Sequence, residues 1–185
     1  MVAGTSPRRD ELLELAYQYV LEHGVADLSL RPLAAAVSSS PRVLLFLFGS
    51  KAGLVQALLA RAREDELALL ERARAARVGS ERDLIALASE VWRWLAADEH
   101  QGLLKLWVEG YARSLIDPDG PWAAFAAGTV ADWLEVLGEG SSGAAERTLI
   151  LAILRGAMLD LLATGDRERT STAVEQGLEL LRAAR

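Results

Sequence analysis

An all-α fold is predicted for this chain, built as an N-terminal three-helix unit with a helix-turn-helix, followed by a larger helical body. Three observations carry that expectation. No stretch alternates apolar and polar residues with period two, and no Asn-Gly or Asp-Gly pair marks a hairpin. Ala, Leu, Glu and Arg dominate, which are good helix formers. Capping and turn residues fall between segments of helical length.

The elements follow in order. A first helix is predicted over Pro7–His23, with Ser6 as its cap, Pro7 in the first helical position and Gly24 at its end. Its apolar stripe is Leu12, Leu15, Ala16, Tyr19 and Val20, spaced by threes and fours. Ser29 caps a short second helix over Leu30–Val37, and Ser40 caps a third over Pro41–Phe48, closed by Gly49. Ser50 caps a long fourth helix from Lys51 to about Arg77, ending at Gly79. Further helices are expected near 80–97, 99–116, 120–138, 144–164 and 168–184. No internal repeat or low-complexity tract interrupts them.

Composition narrows the class. The chain has 185 residues, 51% of them apolar, which is enough for a sizeable core. No window reaches the ~18 uninterrupted apolar residues of a membrane span. The most hydrophobic stretch, Leu149 to Leu162, is cut by Arg155 and Asp160. Met1 to Arg9 contains no apolar signal-peptide core. With no cysteine, disulfides, thiolate metal sites and cysteine nucleophiles are all absent, and a cytoplasmic location is the plain expectation. His23 and His100 read as a helix-end and a surface residue, and neither has Glu-x-x-His spacing. No Gly-rich phosphate loop and no Gly-x-Ser-x-Gly is present. No catalytic machinery, metal site or cofactor is therefore expected.

Net charge is −6, which by itself argues against a nucleic-acid partner, but its distribution matters more. The first 51 residues hold five basic and five acidic side chains, so the whole deficit lies further along. From Leu28 to Lys51 there are three cations, Arg31, Arg42 and Lys51, and no anion.

Helices two and three, joined across Ser38-Ser39, have the dimensions of a helix-turn-helix, whose second helix lies in a DNA major groove. The bland alternative is a corner in a helical bundle. Leu33, Ala34, Val37, Leu44 and Phe48 can pack the pair together. Ser40-Pro41 offers a helix start with free N–H groups, where phosphate is welcome. Lys51 opens the fourth helix, an awkward place for a cation unless an anion meets it. Arg8 and Arg9 are candidates for a flexible basic arm.

The run from Leu28 to Lys51, followed by Leu54, resembles the signature of TetR-family transcriptional regulators. That signature reads Thr/Ser-x-Arg-x-Ile/Leu-Ala, then Gly-Val/Thr-Ser, then an aromatic recognition helix ending in Phe-x-Ser-Lys. It aligns without a gap, and Phe48-Gly49-Ser50-Lys51 is its most specific part. The match covers about residues 8–60. Ser38 stands where the family's turn carries glycine, and Leu45, Phe46 and Leu47 stand where tyrosines are usual. The resemblance implies a DNA reader over 1–50 and a ligand-sensing, dimerising domain over 51–185. Its DNA contacts would be Arg31, Ser39, Ser40, Pro41, Arg42, Leu45, Phe46 and Lys51. Arg42 suits a guanine edge, and Leu45 or Phe46 a thymine methyl.

All five tryptophans lie between positions 92 and 133. Trp107 and Tyr111 share one helix face, while Trp122, Phe125, Thr129 and Trp133 share another. Core packing is the default explanation of such stripes. The functional alternative is an apolar effector pocket lined by Trp92, Trp107, Tyr111, Trp122, Phe125 and Trp133, with Glu109 and Arg113 as orienting polar groups. From Leu149 to Leu162 the apolar residues wrap most of a helix, and Gly156 would allow close approach. Val174, Leu178 and Leu181 add an apolar stripe on the last helix. By resemblance these two helices form a homodimer interface. The function implied is a DNA-binding regulator, a repressor released from its operator by a small apolar effector. The alternative is an all-helical dimer that binds a ligand or partner and has lost DNA binding.

Overall fold

Local capping chemistry sets the helix boundaries at the N-terminal end. In the computed structural model, which describes residues 6–25, 28–75, 84–138 and 143–184, nine α-helices and no strand occur among the described residues. They are α1 (Pro7–His23), α2 (Leu30–Ala36), α3 (Pro41–Phe48), α4 (Lys51–Ala75), α5 (Leu84–Leu95), α6 (Gln101–Ile116), α7 (Phe125–Gly138), α8 (Ala144–Thr164) and α9 (Arg167–Ala183). A 3-10 turn over Asp98–His100 leads into α6. Ser6, Ser40 and Ser50 each accept a hydrogen bond from the N–H three residues on, at 3.2, 3.2 and 2.9 Å. Such a bond satisfies one of the orphan donors at a helix start. The expected end of the fourth helix near Gly79, and the start of the fifth near 80, lie outside the described residues.

Contacts divide the chain into two compact units, one of residues 1–64 and 105–126, the other of 65–104 and 127–185. In the first, α1, α2 and α3 pack on one another around Leu12, Ala16, Tyr17, Val20, Leu33 and Leu44, all buried. Arg61 on α4 reaches back to α1, pairing with Glu14 at 2.9 Å and lying over the Tyr17 ring. The stripe on α1 differs from expectation. Leu15 is exposed and Tyr17 buried, because the neighbours of α1 meet it on the side of Leu12, Ala16 and Val20, which Tyr17 flanks.

The second unit is built on α9, which packs against both α8 and α5. Leu84, Leu87, Ala88, Val91, Ile150, Leu154, Val174 and Leu178 are its buried apolar side chains. The α8–α9 elbow is held by Arg169, which donates to both carboxylate oxygens of Asp160, at 2.7 and 2.6 Å. Arg167 pairs with Asp98 beside it.

Other boundaries move as well: the fifth helix ends at Leu95 and the sixth starts at Gln101. The second helix ends at Ala36, with Val37 as its C-cap. The helix expected over 120–138 starts only at Phe125. Residues 120–124 form turns, with Ala123 and Phe125 donating back to Gly120 and Trp122, and Ala124 has φ +61. Trp122 therefore sits in the turn and is not on the α7 stripe. Among the described residues no single helix is long and apolar enough to cross a membrane.

Candidate nucleic-acid interface

Two helix ends and one strained serine position α3. After α2 the chain closes as a Schellman turn: Ser39 N–H bonds the Ala34 carbonyl at 2.8 Å, and Ser38 N–H bonds that of Ala35 at 3.2 Å. The first residue past the cap must be left-handed in this turn, and Ser38, which holds that place, has φ +50. A side chain there costs roughly 1 kcal/mol relative to glycine. At the other end, α3 and α4 meet at 70°. A Cβ on Gly53 would lie 2.2 Å from the Phe48 carbonyl oxygen, so only glycine lets the first turn of α4 come this close to the end of α3.

Within α3 the faces separate cleanly. Leu44 and Phe48 are buried, four residues apart. At 100° per residue, Arg42 and Phe46 lie opposite them, with Val43 and Leu45 on the flanks. Phe46 is 85% exposed, and Val43 and Leu45 are exposed as well. A phenylalanine ring left in water forgoes about 1.5–3 kcal/mol of burial. Phe48, by contrast, packs inward under the Arg9 guanidinium, 4.9 Å from the ring centre.

The expected DNA-contacting residues fall as follows. Arg31, Arg42, Leu45, Phe46 and Lys51 are exposed, while Ser39, Ser40 and Pro41 are half-buried at the turn and helix start. None of Arg31, Arg42 and Lys51 makes an ion pair with a described residue. Arg8 and Arg9 are not a free arm. Both lie in the first turn of α1, where Arg8 pairs with Glu11 at 2.8 Å and Arg9 covers Phe48.

The aromatic residues are divided between the two units. In the first, Trp107 and Trp122 are buried and Tyr111 and Phe125 half-buried. Gly110 makes room for two of them: a Cβ there would lie 2.9 Å from Phe125 and 3.3 Å from Trp122. In the second unit, Trp92 Nε1 donates to Ser171 Oγ at 3.0 Å, and Trp133 Nε1 donates to the Glu66 carboxylate. Glu66, at 0% exposure, is a buried acid that sequence reasoning missed. Its position between Ala62 and Leu69 on α4, both buried, was the available signal. Trp94 stacks on His100, whose Nδ1 lies 2.9 Å from the Trp94 carbonyl oxygen, so His100 is not the plain surface residue expected.

Glu109 also has another use than expected. Its carboxylate accepts the Val25 N–H at 3.0 Å, just past the end of α1, and so ties α6 to the three-helix head. Its second oxygen is buried without a hydrogen-bond donor among the described residues. Arg113 is exposed.

On α8 the exposed positions Leu149, Ala152, Gly156, Leu159 and Ala163 repeat by threes and fours, a continuous stripe with no polar side chain. On α9 the exposed positions Ala173, Gln176, Leu180 and Ala183 repeat with the same spacing, apolar except for Gln176. Leu180 is 73% exposed, whereas Val174 and Leu178, grouped by sequence with the interface, are buried against α5 and α8.

No family model matches the sequence. No curated protein matches it either. Solved structures do. A protein from Rhodococcus sp. assigned to the TetR family of transcriptional regulators superposes with TM-score 0.73 at 17% identity, over 95% of this chain and 98% of its own. The multidrug binding protein EbrR, solved with proflavin, gives 0.67 at 24% identity over 92% and 99%. The fatty acid degradation regulator FadR from Bacillus halodurans gives 0.64 at 17% identity over 97% and 96%. The chain has the all-α fold of these solved structures, with its helix-turn-helix at α2 and α3.

Proposed function

We propose that the protein is a sequence-specific DNA-binding regulator, a repressor that leaves its operator when a small apolar molecule binds. The observation that carries this reading is the outward face of α3, which bears Arg42, with Arg31 on α2 and Lys51 on α4 also exposed and no acidic residue from 28 to 51. A surface so charged attracts phosphate, and a helix of eight residues with one face exposed suits a major groove. Residues 1–50 are the reader and 51–185 the sensing and dimerising domain. Arg42, in the first turn of α3, is the polar base reader, and Lys51 meets a phosphate.

A homodimer through α8 and α9 would present two readers to half-sites ~34–36 Å apart. The exposed apolar stripe on α8, and Ala173, Leu180 and Ala183 on α9, support it. The effector would meet Trp107, Tyr111, Trp122 and Phe125, the aromatic residues of the first unit. EbrR's complex with proflavin supports a small planar molecule as ligand class. Coupling would run through α4 and through the Glu109 bond to Val25, since Trp122 and Phe125 pack at Gly110 beside it. A coupling of ~1–3 kcal/mol gives roughly 5–150-fold release. Selection of the purified protein against random duplex DNA tests the reading. An enriched two-fold symmetric site is the expected result. No enrichment at low salt, with a verified dimer, would leave a ligand- or partner-binding dimer instead.

A further inference from the structure

We infer that α3 reads DNA mainly through the C5-methyl groups of thymine, with Phe46 as the specificity-determining contact and Val43 and Leu45 closing around it. The inference rests on the DNA-binding reading above and names the chemistry that reading would recognise.

Phe46 and Arg42 share the centre of the exposed face, directly opposite the buried Leu44 and Phe48. Whatever α3 meets, those two side chains meet first. Apart from Arg42, residues 41–48 carry no side chain with a hydrogen-bond donor or acceptor. In the major groove only thymine offers a methyl group, and the other base edges offer donors or acceptors. Pressed against cytosine N4 or guanine O6, the Phe46 ring would strip water from a polar group and give nothing back. Against a thymine methyl it buries apolar surface on both sides. Favourable contact and penalty therefore select the same base pair.

The charge around the face decides between nucleic acid and an apolar protein partner. Arg31, Arg42 and Lys51 form no ion pair with a described residue, and no acid lies among residues 28–51. An apolar face that carries Arg42, with exposed cations on the helices before and after it, suits a polyanion whose groove holds methyl groups. Four residues of helix advance about 6 Å, and one base pair about 3.4 Å. With α3 lying along the groove, the thymine under Phe46 falls about two base pairs from the pair that Arg42 reads.

The test uses the full chain and the duplex it selects from a random library. Deoxyuridine replaces thymidine one position at a time, which removes the methyl and leaves every hydrogen-bonding group. One or two thymines per half-site, about two base pairs from the position sensitive to Arg42→Ala, should weaken binding about four-fold each. Phe46→Ala should bind the thymine and uracil duplexes equally. Cytosine placed at the sensitive position should bind better when carrying a 5-methyl group. A selected site whose uracil duplexes bind like the parent overturns the inference and leaves the regulator reading standing. So does uracil sensitivity that persists in Phe46→Ala. Failure to select any duplex overturns both.

Discussion

The α2–turn–α3 segment and the stretch from Trp92 to Trp133 use their large side chains by different rules. In the first, each residue's place is set within about five positions. Ser40 caps Val43, Ser39 closes on Ala34, and Leu44 and Phe48 face in because they are one turn apart. In the second, the deciding partner is distant. Trp92 meets Ser171, 79 positions on, and Trp133 meets Glu66, 67 positions back. The local segment leaves one of its two phenylalanines, Phe46, in water, whereas the long-range one buries every tryptophan whose indole it bonds. Burial there serves packing, and exposure at α3 is what the proposed DNA contact would use.

The largest effect that would sharpen the contrast between buried and offered surface comes from two neighbouring leucines. Leu178→Asp places a charge among α5 and α8, and should cost more than about 4 kcal/mol, read as collapse of the melting transition. Leu180→Asp lies on the exposed stripe and should leave helicity intact while sedimentation shows monomers. Equal destabilisation by both would break the distinction. Next in size is Glu66→Leu. It leaves the Trp133 indole N–H without its acceptor inside the core, at about 1–3 kcal/mol in urea unfolding. Trp133→Phe in that background should recover part of the loss, and full additivity of the two changes would deny their coupling.

These results would also explain what the sequence made legible. Helix ends at Ser6, Ser40, Ser50 and Gly49 could be read because capping is a local hydrogen-bond problem. The packing face of α2 and α3 could be read for the same reason, since Leu33, Ala34, Val37, Leu44 and Phe48 are all buried. The start of α7 could not, because a left-handed Ala124 has no signature in a run of alanines. Glu66 was hidden because a buried carboxylate depends on an indole from another helix. Leu178 and Leu180 look alike in sequence, and only the packing of α9 on α5 and α8 separates them.

Smaller effects probe the local rules. Ser38→Gly relieves the left-handed serine but adds freedom to the unfolded chain, so the net gain should be about 0.5 kcal/mol by urea titration. A loss would mean the serine hydroxyl is needed at the turn. The smallest concerns the α8–α9 elbow. Hydrogen bonds from Arg169 hold the Asp160 carboxyl below its ordinary value, and the same pair raises Arg169. A lowered acid stabilises the fold above its unfolded pKa, near 3.9, and that contribution is lost as pH falls through the lowered value. The melting-temperature gap between the wild type and Asp160→Asn should be constant from pH 5 to 8, within about a degree, and shrink below about pH 4. A gap that persists in acid would remove the charge from the explanation.

The central claim is that α3 and the start of α4 form a DNA reader with divided labour, and Arg42→Ala and Lys51→Ala test it most directly. Each would be titrated on the selected operator and on random duplex across several salt concentrations. Arg42→Ala should cost ~1–3 kcal/mol per half-site on the operator and relax preference at one base pair. Lys51→Ala should weaken both duplexes alike and make the salt dependence shallower by about one unit per site. Equal losses from both mutants on both duplexes would contradict the account.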